Sequence, residues 1–526
     1  MRRRNFIKYC SMAVPGAIIA SKMPTSFFHN EKSIHENYDD EFIKRMADLA
    51  IETAKSNGAS YCDFRLSNFR SQQISTREAT VQNISENENF GFSVRVIVNG
   101  TWGFASSSNF MEDKVTSMSK FACDIAKANI KLQRARVELV PTKAYQDFWQ
   151  TPIRKNSFEV SIDEKVNKLL SINEKAKSLG ASFCSSSFWA VNEWKYFASS
   201  EGSYIKQDLH RMLPGFQVSV VDKTTGKFEE RNSLAAPIGK GYEYFEEYDW
   251  MGDVEKAVEE TKMKFTAKSV EPGKKDIILD PGNLWLTIHE SCGHPTELDR
   301  ALGYEANYAG TSFMTTNNLG KLKYGSDLIN LVADRTQIDG LATRGYDDDG
   351  VKTTEWHIIK NGLHVGYQTT REMARFIGEK ESNACAYSDN WSHIPIQRMP
   401  NISLKPGDKK LSLNDLIADT EDGIYIIGNG SWSIDMQRYN FQFTGQAFYE
   451  IKNGKINQML RDVAYQGNTV DFWNSCDAIC DESEYRLGGS FFCGKGEPGQ
   501  VSPVSHGSSP ARFRKIKILN TSKEIE

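Results

Sequence analysis

Several things are scarce in this chain, and each scarcity closes off a class of function. The apolar run at residues 11–20 is far shorter than the roughly 20 residues a membrane-spanning helix needs, so no stable membrane span is expected. Charge is nearly balanced, 64 basic against 68 acidic residues, for a formal net charge of -4. That balance gives none of the positive field that nucleic acid requires of a partner. Histidine is limited to nine residues, and beyond one segment near the middle of the chain no histidine cluster or Cys-x-x-Cys pair argues for a further metal site. Asp347-Asp348-Asp349 lacks the ligand spacing of a calcium loop and reads as a turn before Gly350. Of the nine cysteines, those left after Cys10 and Cys493 are set aside are odd in number and cannot all pair; Cys476 and Cys480 are the nearest disulfide candidates, or two buried thiols.

The segment that stands out is Ile288-His289-Glu290-Ser291-Cys292-Gly293-His294-Pro295. Two imidazoles flank a carboxylate in the pattern H-E-x-x-x-H, after an apolar approach of Leu284, Trp285, Leu286 and Ile288. This ligand set suggests zinc, which neutral imidazole binds well, with a glutamate beside it to take a proton from water. The spacing is one residue longer than H-E-x-x-H. On a regular helix that extra residue opens the angle between the imidazoles from about 40° to roughly 140°. A π-type bulge, or a helix ending between the ligands, would bring them back together, and Gly293 and Pro295 suit either. A locally distorted helix is therefore expected over residues 291–294. A catalytic zinc site takes a third protein ligand, and Cys493, in the glycine-rich stretch 488–500, is the candidate, expected at a tight turn. Glu297 and Asp299 follow the second histidine closely enough to orient it as hydrogen-bond acceptors, and equally fit acidic charge at a helix start after Pro295. His210, alone on a strand pattern, reads as a structural histidine.

Taken in order, residues 1–23 carry a basic start and a short apolar run, as an export signal does, and Arg3-Arg4-x-Phe6-Ile7-Lys8 resembles a bacterial twin-arginine signal. Export to the periplasm is the expectation. Residues 24–40 read as a linker. In 41–140, apolar residues from Phe42 to Ala54 recur at helical spacing before Gly58, strands follow with an Asn99-Gly100 turn, and a second helix covers 110–128. The middle segment, 141–270, repeats the theme with helices near 161–179 and 250–264 around four strands. From 271 to 526 a strand at 275–280 leads into the metal helix, and β-rich segments separated by glycine and asparagine turns dominate the rest. The expected class is α+β: amino-terminal helix-covered antiparallel sheets, then a mainly β carboxy-terminal domain that carries the metal-binding helix.

HESCGHPTELD paired with the late CGKGEPGQ resembles the TldD/PmbA family of zinc metallopeptidases. The resemblance continues in GFSVRVIVNGTWGFASS, YFASSEGSYIKQ, DDDGVKTTEWHIIKNGLHVGY, IQRMPNISLKPGD and GQAFYEIKNGKI, and so covers most of the chain after the first forty residues. Leu298 departs from it, standing where the family is expected to carry glycine. The resemblance implies that His289, His294 and Cys493 bind one zinc per chain, that Cys292 is not the third ligand, and that Glu290 is the catalytic base. It also implies peptide or unfolded-polypeptide substrates, a cleft that includes Arg398 and Asn401, and a dimer, either of identical chains or with a PmbA-like chain. Because the metal residues are present, this chain takes the active role. Two other functions fit the same residues: a non-catalytic assembly or peptide-binding subunit with structural zinc, and a zinc amidohydrolase acting on a non-peptide amide.

Overall fold

In a computed structural model of the chain, residues 32–133 and 135–522 are described; the signal at 1–23 and the first part of the 24–40 linker lie outside them. The rest of that linker is already part of the fold. Ser33 is buried and donates to Glu88 at 2.6 Å, and the His35 ring stacks on Trp194 with centroids 4.5 Å apart. Helix α1 (Asp40–Ser56) starts where the Asp39 side chain accepts from the Phe42 amide. It buries Ile43, Met46, Ala47, Ala50, Ile51 and Ala54, one stripe at helical period, and stops before Gly58, whose φ of +92° suits glycine.

Seven strands form a single sheet: β1 (Tyr61–Arg77), β2 (Thr80–Val98), β3 (Thr101–Ser107), β4 (Gln146–Gln150), β5 (Phe183–Ser199), β6 (Tyr204–Val221) and β7 (Phe228–Asn232). Their order is β3-β2-β1-β5-β6-β4, with β7 also on β6. The two segments expected on either side of residue 140 thus share one sheet, joined where β1 runs antiparallel to β5 from Asp63↔Ser199 to Arg77↔Ser185. β1, β5 and β6 run unbroken through Asn68, Asn192 and Pro214. Asn68 and Asn192 are buried on the helix side by neighbours from the amino-terminal half, Asn68 donating to Ser33 and Glu88 and Asn192 to Asp208. The carboxy-terminal domain covers the opposite face through contacts such as Lys195 to Asp348 and Arg211 to Leu341. Helices α1 and α2 (Glu112–Asn129) cover one half of the outer face, over Phe64, Leu66, Phe92 and Val94. Helices α3 (Ile162–Ser178) and α4 (Trp250–Lys264) cover the other, over Phe188, Met212 and Val218.

The carboxy-terminal half is mainly β. Strand β8 (Gly273–Leu279) leads into helix α5 (Pro281–Ile288). Beyond it lie β9 (Leu331–Asp334), β10 (Glu355–Lys360) and β11 (Asn401–Leu404), with β9 central. A larger sheet contains β12 (Asp422–Ile434), β13 (Asn440–Lys452), β14 (Lys455–Arg461), β15 (Val463–Asn468) and β18 (Ala511–Asn520). β12 pairs with β8, β8 with β18, β18 with β15, β15 with β13, and β13 again with β12, so the pairing closes into a ring. Its side chains Ile277, Leu279, Ile424, Ile426, Phe441 and Phe513 share one core with Leu284, Leu286 and Ile288 of α5. A separate ribbon of β16 (Arg486–Lys495) and β17 (Gln500–Ser508) lies against α5, so closely that a Cβ on Gly488 would come within 2.4 Å of Trp285. No described helix is long and apolar enough to cross a membrane.

Candidate metal centre

Helix α5 is fixed at its start by Asp280, whose carboxylate accepts from the amides of Asn283 at 2.8 Å and Gly428 at 2.9 Å, with Pro281 at the first helical position. After Ile288 the helix changes pitch. Residues His289–Gly293 form a π turn in which the His294 amide donates to the His289 carbonyl, and His294–Thr296 then tighten into a 3-10 turn. An i→i+5 bond places His294 one turn above His289, which is how the longer motif brings both imidazoles to one side. Gly293 leaves room there for the end of the buried Met399 side chain, whose Sδ would lie 2.4 Å from a Cβ and would have to shift.

Cys493 completes the cluster from the other end of the chain. It lies in strand β16 opposite Ser502, not at a tight turn, and just beyond a bulge that displaces Phe491 and Phe492. Its Sγ is 3.8 Å from His294 Nε2, the two imidazole centroids are 4.6 Å apart, and the ligand atoms of His289, His294 and Cys493 all fall within 4.8 Å of one another. All three residues are buried. Arg398 donates to the Cys493 and Gln500 carbonyls and so clamps both strands of the ribbon. Burial opposes ionisation of the Cys493 thiol, but His294 and Arg398 outweigh it and hold the thiol below its ordinary pKa.

Hydrogen bonds set the tautomer of each histidine. His506 Nδ1 faces the Ile402 carbonyl at 2.8 Å, and since a carbonyl only accepts, this nitrogen carries the hydrogen. Burial, reinforced by His289, holds His506 well below its usual pKa and therefore neutral, so its Nε2 is an acceptor. His289 Nδ1, 2.8 Å away, must then donate to it, which leaves His289 Nε2 free to bind a metal. His294 Nδ1 donates to Glu297 at 2.9 Å, and its Nε2 is freed in the same way. Two imidazole nitrogens and a thiolate, converging and correctly presented, fit a zinc ion with a fourth position left for water or substrate.

Glu290 lies between the histidines, almost buried, and pairs with Arg438. Desolvation raises its pKa, but the two histidines and Arg438 outweigh that, so Glu290 remains a carboxylate. Lys495 stands behind Glu297: its ammonium reaches Glu297 at 3.1 Å, Asp299 at 2.8 Å and Glu305 at 2.9 Å, all buried.

Two family descriptions match the sequence: "PmbA/TldA metallopeptidase domain 1" over residues 62–126 and "PmbA/TldA metallopeptidase C-terminal domain" over residues 272–519. The chain belongs to the PmbA/TldD family of metallopeptidases. Within this family it is similar to a metalloprotease of Methanocaldococcus jannaschii, 29% identical over 86% of this chain and 95% of the relative. It is also similar to a zinc metalloprotease TldD homolog of Saccharolobus solfataricus, at 25% identity over 89% of this chain and 98% of the relative. TldE of Thermococcus kodakarensis has the same fold, with a TM-score of 0.68 at 17% identity over 90% of this chain and 99% of that one.

The PmbA/TldD-family centre differs from the sequence reading at Asp299 and at the expected cleft. Asp299 accepts from Lys495 rather than from a histidine, so it supports Glu297 at one remove. Arg398 and Asn401 do not line a cleft. Both are buried, and Asn401 holds the amides of Ala342 and Ser505 and the carbonyl of Asp334. Backbone groups brought together by the fold consume them, which residue type alone does not reveal. The eight described cysteines are all unpaired, Cys476 and Cys480 included. His506, Arg438 and Lys495 were missed. Lys495 lies inside CGKGEPGQ and His506 is one of the few histidines, whereas Arg438, at a hairpin end, carries no periodic signal.

Proposed function

We propose that the chain is a zinc-dependent peptidase that hydrolyses peptides or unfolded polypeptides, with Glu290 as general base. The observation that carries this reading is the convergence of His289 Nε2, His294 Nε2 and the Cys493 thiolate beside an ionised Glu290. When bound, zinc supplies the Lewis acidity needed to activate water and a scissile carbonyl. Glu290 accepts the proton of the attacking water and returns it to the leaving amine. Arg438 keeps the Glu290 carboxylate aimed, while the His506 and Glu297 contacts keep both imidazoles in the metal-binding tautomer.

The same proposal includes action within a dimer, of identical chains or with a PmbA-like chain, supported by the family resemblance and by the shared fold of TldE. It also includes export to the periplasm, supported by the Arg3-Arg4 signal.

The test is hydrolysis of an unstructured peptide library by the zinc-loaded mature chain, alone and mixed with a PmbA-like partner, with Glu290→Gln alongside. Cleavage by wild type and none by the variant, at equal zinc content, supports the proposal. Zinc bound without cleavage in either preparation points to a structural or binding subunit, and cleavage of small amides alone points to an amidohydrolase.

A further inference from the structure

Between the inner face of the amino-terminal sheet and the carboxy-terminal half lies a layer of guanidinium groups. Arg211 on β6, Arg335, Arg344 and Arg398 are each at most 3% exposed. All four donate to backbone carbonyls: Arg211 to Leu341 at 2.8 Å, Arg335 to Arg398 at 2.8 Å, Arg344 to Ala342 at 3.3 Å, and Arg398 to Gln500 at 2.9 Å. Arg344 also lies over the Tyr387 ring, 4.3 Å from its centroid, a contact with no net charge to offer. Asp347 lies near Arg335 but spends its oxygens on the backbone amides of Asp349, Val351 and Ala386, and the carboxylate that meets Arg211 is Glu193. It accepts from Arg211 at 2.7 Å and from the Tyr387 hydroxyl at 3.1 Å, and it lies 2.8 Å from Lys195, which is itself committed to Asp348.

Positive charge is therefore in excess where water is excluded. Among the described residues, Arg211 Nη2, both Nη1 and Nη2 of Arg344, and Nε of Arg335 and Arg398 are buried with no hydrogen-bond partner. A buried ionic group without compensation is strongly unfavourable, and buried N–H groups are nearly always satisfied by protein, water or a bound ion. Burial, with Arg335 and Arg211 adding to it, pushes Arg344 down to about 10, still protonated at neutral pH. Beside the layer is a cavity of about 240 Å³, lined by His210, Trp149, Leu341 and Thr343, which meets the layer at Arg211.

We propose that this layer is an anion site in which Arg344 and Arg211 bind a small monovalent anion of the halide class, separate from the metal centre. The unpartnered N–H groups are closed to solvent, so the ligand must shed its hydration shell. The desolvation cost rises steeply with ionic charge, which favours a halide over sulfate or phosphate. The proposal does not depend on peptidase activity.

The test is anomalous diffraction at the bromine edge from crystals of the zinc-loaded mature chain grown in sodium bromide, with Arg344→Met treated identically. The expected result is a bromide peak in contact with Arg344 and Arg211 in wild type and no peak in the variant. Water alone at this position overturns the proposal, as does a peak that persists in the variant and so marks an adventitious ion only. If Arg344→Met does not fold, thermal unfolding of wild type in bromide and in sulfate at equal ionic strength decides. A melting temperature that rises with bromide alone supports the site, and an equal response to both salts overturns it.

Discussion

Arg438 donates to the carboxylate of Glu290, the residue between the two metal-motif histidines, from the turn that joins β12 to β13. The turn is held firmly. The Arg438 carbonyl accepts from Thr469 Oγ1 at 2.9 Å, the Met436 carbonyl from Arg300 at 3.0 Å and from the Thr311 amide at 3.1 Å, and the Gln437 carbonyl from the Phe313 amide at 3.1 Å. Arg438 itself sits at φ +65°, an uncommon backbone state for a residue other than glycine. A cation placed so rigidly beside the carboxylate fixes its direction and its charge.

Arg438→Ala is therefore expected to leave zinc content unchanged and to lower kcat by about tenfold or more, since catalysis falls steeply when a reacting group is misplaced. Arg438→Lys should recover part of the loss. Steady-state kinetics with metal analysis on the same samples checks this, and an unchanged kcat would remove Arg438 from the account.

His506 orients His289 through a hydrogen bond of 2.8 Å and stacks on Trp285 at 6.4 Å. His506→Phe keeps an aromatic ring but offers no acceptor. Loss of such a supporting partner typically costs about 10–100-fold in metal affinity. Competition with a chromophoric chelator should show a loss in that range, whereas His210→Phe, whose imidazole faces Asp208 and Asn192 rather than the metal ligands, should leave affinity unchanged.

Lys495 is almost buried and meets the carboxylates of Glu297, Asp299 and Glu305. Burial lowers its pKa, but the three carboxylates overcome this and raise it, so the ammonium holds the acidic group together. Lys495→Met leaves those carboxylates without their cation. Breaking a buried ion pair in this way costs about 3–5 kcal/mol, and denaturant unfolding of metal-free protein should show a loss of that order.

Glu193 gives a pH signature. Burial alone would raise its pKa, but Lys195, Arg211 and Arg344 bring it from 4.5 down to about 2. A carboxylate whose pKa is lower in the folded state contributes stability above its unfolded value and loses it as the pH falls through the folded value. The contribution, roughly 3 kcal/mol, is thus complete above pH 4.5 and lost between there and about pH 2. Glu193→Gln should be less stable than wild type at neutral pH, with the difference shrinking across that window. A difference that stays constant with pH would contradict the pairing.

The local rules of the chain were legible where one element decides the outcome. The H-E-x-x-x-H spacing required an irregular turn, and the π turn at His289–Gly293 supplies it, with Gly293 leaving room for the Met399 side chain. The stripe from Ile43 to Ala54 and the stop before Gly58 likewise follow from periodicity and backbone freedom. What depended on distant packing was not legible. β1 and β5 run unbroken because polar residues such as Gln72 and Asn192, which read as exposed in isolation, are buried by partners distant in sequence, Lys165 of α3 donating to Gln72 and Asn192 donating to Asp208. Arg398 and Asn401 suggested surface chemistry, yet they serve backbone groups that meet only in the folded chain. His506, on strand β17, and Arg438, in the turn between β12 and β13, reach the centre from far along the sequence, and no local pattern announces such contacts.

The most direct measurement is zinc content by elemental mass spectrometry on the purified chain, with Cys493→Ala and His294→Ala prepared identically. The account predicts about one zinc per chain in wild type and substantial loss in both variants. Wild-type protein that stays metal-free after exposure to excess zinc, or variants that retain zinc as wild type does, would contradict it.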